Sequence, residues 1–72
     1  MTEEIKNNLI HAVKMQLGMA DDNLSRAKLA FAHMSEAQLH QPYLGSTSTP
    51  QEMLDGYQKS YNKWAETLKW IQ

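Results

Sequence analysis

The chain has 72 residues, no cysteine and a formal net charge of −1. One domain of that size lies near the lower limit for a self-sufficient hydrophobic core, and neither a disulfide framework nor a thiolate metal site can supplement it. Seven Lys and Arg spread along the whole length form no concentrated basic footprint, so nucleic acid is disfavoured as a partner and anionic lipid with it.

The opening Met-Thr-Glu-Glu has no basic start followed by an apolar run, and no apolar stretch reaches the roughly 18 residues of a membrane span. A cytoplasmic location, with no signal peptide and no membrane contact, is therefore expected. Thr2 suits a helix N-cap, and Glu3 and Glu4 set negative charge at the positive end of the helix dipole. Apolar residues then recur in alternating steps of three and four: Ile10, Val13, Leu17, Ala20, Leu24, Ala27, Phe31 and Met34. That spacing keeps one stripe of a helix facing a partner helix. It predicts a first helix over about 3–39, stopped where Gln41 precedes Pro42. Gly18, followed by Asp21 and Asp22, offers an alternative break, and with it a monomeric three-helix bundle. Continuity is the stronger reading, because the seam passes through in phase and Asp22 can pair with Arg26 one turn on.

Residues 41–49 carry no periodicity and read as the interhelical loop. Thr49, Pro50 and Glu52 then give an N-cap, a first-turn proline and the acidic partner of a capping box. A second seam follows at Leu54, Tyr57, Tyr61, Trp64, Leu68 and Ile71, predicting a helix over about 50–71 with Lys69 near its negative end. The fold class is thus all-α, a single domain over 1–72 folded as an antiparallel helical hairpin with a coiled-coil-like seam. Pairing Leu17 with Ile71, Leu24 with Trp64 and Phe31 with Tyr57 sets the large Tyr61 and Trp64 of the second arm beside or near the small Ala27 and Ala20 of the first. In that register Trp64 is expected to be buried and Trp70 to stand off the seam.

The first arm, roughly 50 Å long, outruns the second, roughly 33 Å, so Ile5, Leu9, Ile10 and Val13 are expected to be uncovered. Met15, Met19 and Leu29 point away from the seam, and Trp70 lies off it. These eight residues are the candidate interface: the small core and the overhang both call for more burial, which pairing of two hairpins into a four-helix homodimer would supply. Exposed Met and Trp also suit contact with another protein.

Chemistry has few candidates. His33, Glu36 and His40, at i, i+3 and i+7, would share one face of a helix and could hold a metal ion or run acid–base chemistry. Two turns separate the histidines, about 10 Å along the axis, too far for one ion with bonds near 2 Å. A solvated polar face is the simpler account. His11, Met15 and Met19 repeat at i+4, a set suited to a soft ion such as Cu(I), though Met is also a common filler of interfaces. With no phosphate loop, nucleophile elbow or metalloprotease motif, no enzyme, catalytic residue or cofactor is expected.

Tyr43-Leu44-Gly45, between two helices, resembles the Trp-x-Gly turn of the small substrates of type VII secretion. That resemblance implies an antiparallel helical hairpin that dimerises. It covers the turn and the gross architecture, with Tyr in place of Trp, and the Tyr-x-x-x-Asp/Glu signal that follows the second helix in that family has no match before Gln72. The expected function is a small protein–protein interaction module, a regulator, inhibitor or adaptor of the kind phages and mobile elements encode, acting on a macromolecular partner. Alternatives are a metal-binding or enzymatic bundle, a type VII secretion-like hairpin, and a nucleic-acid-binding hairpin dimer.

Overall fold

A computed structural model describes residues 2–72. Three helices follow in order, α1 (Glu3–Ala30), α2 (Glu36–Leu39) and α3 (Pro50–Ile71), with no strand among the described residues. α1 packs along α3, so the architecture is an all-α hairpin, 51 × 18 × 18 Å in extent. Thr2 caps α1 as its residue type suggests, its hydroxyl accepting the Ile5 amide at 3.2 Å. α1 runs unbroken through Gly18, which removes the three-helix bundle with a break at that position. Asp22 and Arg26 form the i, i+4 ion pair, at 3.0 Å.

α1 ends at Ala30, nine residues before the expected Leu39, and the reason is local. The Ser35 hydroxyl accepts the Gln38 amide at 3.2 Å while the Gln38 side chain accepts the Ser35 amide at 2.9 Å. This reciprocal capping box starts α2 as a separate helix. Ahead of it the chain tightens into three-residue bonds, from the Ala32 amide to the Leu29 carbonyl and from the Met34 amide to the Phe31 carbonyl. Met34 continues the heptad in sequence but lies beyond the helix.

The loop then folds back over the hairpin end. The Ser46 amide donates to the Tyr43 carbonyl at 2.8 Å, closing a turn whose central residues Leu44 and Gly45 have φ of 41° and 77°. Gly45 meets the left-handed geometry without strain. Tyr43 stands edge-on to Phe31, ring centroids 5.3 Å apart, and Pro50 is fully buried. At the start of α3 the Thr49 hydroxyl accepts the Glu52 amide at 3.1 Å.

The core is a single stripe, formed by Val13, Ala20, Leu24, Ala27 and Phe31 of the first arm. The facing residues Leu54, Tyr61, Trp64, Leu68 and Ile71 are only half-buried, and Tyr57 is exposed. Trp64 is thus less enclosed than a seam position predicts, because two helices cover a side chain from one direction only. Val13, expected in the uncovered overhang, is 8% exposed. Its burial, together with the depression that Ala27 and Tyr57 line jointly, fits a register in which Val13 lies level with Ile71 at the end of α3. The layers then become Val13/Ile71, Ala20/Trp64 and Ala27/Tyr57. That register differs by four residues, close to one helical turn, and sliding by a turn keeps both stripes facing.

Candidate interaction surface

Each seam residue has a neighbour about 100° round the helix on either side. On α1 the residues that precede the seam are Leu9, Ala12, Gln16, Met19, Asn23, Arg26 and Ala30, with Ile5 leading the row. On α3 the residues that precede the seam are Met53, Gly56, Ser60, Lys63, Thr67 and Trp70. Gly56, Lys63 and Trp70 fall toward the outer side, since Gln58 and Ala65 are half-buried while Tyr57 is exposed, and the seam itself drifts toward this edge at Tyr57, Trp64 and Ile71. Antiparallel helices wind in opposite senses when viewed from one end, so these two rows lie on the same broad face of the hairpin. One shallow depression confirms the grouping near the loop, lined jointly by Asn23, Arg26 and Ala30 of α1 and Met53 and Tyr57 of α3.

The residues that follow the seam make the opposite broad face. They are His11, Lys14, Asp21, Ser25 and Lys28 on α1, and Asp55, Gln58, Asn62 and Lys69 on α3. Here polar side chains satisfy one another along α3: the Gln51 amide donates to Asp55 and the Gln58 amide to Asn62, each at 3.0 Å. The two faces therefore differ in kind. One is charged and hydrogen-bonded, while the other carries Ile5, Leu9, Met19 and Tyr57 exposed, with Met53, Trp64 and Ile71 half-buried beside them. The cations nearest the apolar face are both engaged. Arg26 is paired with Asp22, and the Lys63 ammonium lies 5.4 Å from the centre of the Trp64 ring, within cation–π range.

The expected interface residues separate accordingly. Ile5, Leu9 and Met19 belong to the apolar face. Ile10 is half-buried and Val13 is buried, so the uncovered overhang shrinks to Ile5 and Leu9. Met15 and Leu29 sit on the back of α1, turned away from α3, and Trp70 on the back of α3, 81% exposed, where it lines a shallow hollow with Ala65, Glu66 and Lys69. No expected interface residue marks Met53, Tyr57 or Trp64, because their heptad positions assign them to the seam; their partial exposure follows from the hairpin having one seam and no second layer.

The histidine constellation does not assemble. His33 lies in the turn after α1, whereas Glu36 and His40 belong to α2 and its cap, so the shared helical face is lost at the break. His40 and Glu36 approach to 3.7 Å as an exposed pair. Among the described residues no three His, Asp or Glu side chains are grouped to hold an ion. His11, Met15 and Met19 stay exposed along the back and flank of α1. No helix among the described residues is long and apolar enough to cross a membrane. No protein-family model, curated protein or solved structure matches the chain.

Proposed function

We propose that this chain is a small protein–protein interaction module, a regulator, inhibitor or adaptor that acts by binding a macromolecular partner and whose hairpin pairs with a second copy. The observation that carries this reading is surface area. A compact monomer of 8.3 kDa exposes about 4,600 Å², whereas this chain exposes 5566 Å². The excess, roughly 1,000 Å², is close to the ~800 Å² that each partner buries in a stable interface of standard size. Much of the exposed area is large and apolar: Ile5, Leu9, Met15, Met19, Leu29 and Trp70 all reach solvent.

Nothing in the placement of His33, Glu36 and His40 favours the metal or enzymatic reading. Light scattering coupled to size exclusion tests self-association, with a mass near twice 8.3 kDa expected at micromolar protein. A monomer mass throughout that range would remove it. Trp70→Ala then probes the further partner. It should leave helicity unchanged and weaken capture of at least one protein that the wild type retains, whereas identical capture by both would take Trp70 out of the working surface.

A further inference from the structure

We infer that the hairpins associate through the apolar broad face, two copies stacking face to face about a twofold axis so that the rows from Ile5 to Ala30 and from Met53 to Ile71 become the centre of a four-helix bundle. The inference rests on the self-association reading and specifies the surface that performs it. Three observations lead to this face rather than to the backs of the helices.

The first is charge. A twofold interface sets each charge near its own copy, so a self-association face must be nearly neutral. Between Ile5 and Ala30 the α1 row has a single charged residue, Arg26, paired with Asp22 at 3.0 Å. The α3 row from Met53 to Ile71 has Lys63, which precedes Trp64 and whose ammonium lies 5.4 Å from the centre of that ring. The back of α1 carries Asp22 beside Met15 and Leu29, and the back of α3 carries Glu52, Lys59 and Glu66 beside Trp70.

The second is relief. Along the apolar face small residues, Ala12, Ala30 and Ser60, alternate with large ones, Met19, Tyr57 and Trp64. Knobs and hollows on the same surface are what self-complementary packing requires. The third is area. The row from Ile5 to Ala30 runs roughly 38 Å at 1.5 Å per residue, and across the 18 Å breadth of the hairpin it outlines roughly 700 Å², near the ~800 Å² per partner of a stable interface. Stacking would also complete the shells of Trp64, Met53 and Ile71, which the lone hairpin leaves half open.

Sedimentation equilibrium on the wild type, Ala12→Glu, Met19→Glu and Leu29→Glu tests this. All three positions are exposed in the hairpin, so helicity measured by circular dichroism should match the wild type. A buried carboxylate at an interface has no partner, and Ala12→Glu and Met19→Glu should each weaken dimerisation at least about 30-fold, with Leu29→Glu at wild-type affinity. Dimers that survive both Ala12→Glu and Met19→Glu, or that dissociate with Leu29→Glu, would move the interface to the back of α1 and overturn the inference while self-association stands. A wild-type monomer would overturn both. A monomer that binds a different protein through Met19 would give this face to that protein instead of a second copy.

Discussion

The two ends of the hairpin are built from similar residues and hold together very differently. At the loop end Phe31 packs edge-on against Tyr43, Pro50 is fully enclosed, and two capped helix starts and a closed turn satisfy the backbone. At the open end Ile5 and Leu9, no less apolar, remain in solvent, and Lys6 occupies the next position along the seam. The difference lies in what stands opposite. An apolar stripe stabilises only where a second surface removes it from water, and α3 ends before it can face the first turns of α1.

Breaking the strong end should have the largest effect. Phe31→Ala removes a buried ring and its partner contact with Tyr43, and should cost about 3–5 kcal/mol, enough to unfold most of a domain this small. Urea melts followed by circular dichroism would show it; a loss below about 1 kcal/mol would mean that the loop end is not the anchor. Between the ends, Gly18→Ala should stiffen the helix that joins them. A methyl group at that position meets no atom within 4 Å, so the substitution should add about 0.5–1 kcal/mol, seen as a higher melting midpoint. Destabilisation would indicate that α1 bends there. The smallest effect belongs to the open end: Ile5→Ala, measured by tryptophan fluorescence at nanomolar protein where copies are separate, should change stability by less than about 0.5 kcal/mol. A larger cost would mean that Ile5 is covered within one chain.

These contrasts also mark what the sequence could and could not disclose. Both seams, the Thr2 and Thr49 caps and the continuity of α1 through Gly18 follow from local chemistry, and they were legible. The break after Ala30 was signalled too, by Ser35 and Gln38 three residues apart, but Met34 carries the heptad across it, and periodicity outweighed the cap. The register was ambiguous for a geometric reason. Stripes that repeat every turn still meet after a slip of one turn, and the burial of Val13 and the depression between Ala27 and Tyr57 favour one of the two pairings. The apolar broad face was half visible: Ile5, Leu9 and Met19 stood out as off-seam apolar residues, whereas Tyr57 and Trp64 were absorbed into the seam. Whether a seam residue is wholly enclosed depends on how many layers the fold stacks, and a heptad pattern contains no record of that.

The long, narrow outline of the hairpin has a hydrodynamic consequence. Its radius of gyration is 15.9 Å, whereas a globule of the same length would have about 11 Å and one of twice the length about 14.5 Å. A rod nearly three times as long as it is broad meets more friction than a sphere of equal mass and diffuses more slowly. On a sizing column a single copy would therefore elute ahead of a compact protein of equal mass. Elution volume alone would overstate the mass of one chain and, because stacking side by side thickens the particle more than it lengthens it, would understate the step from one chain to a pair.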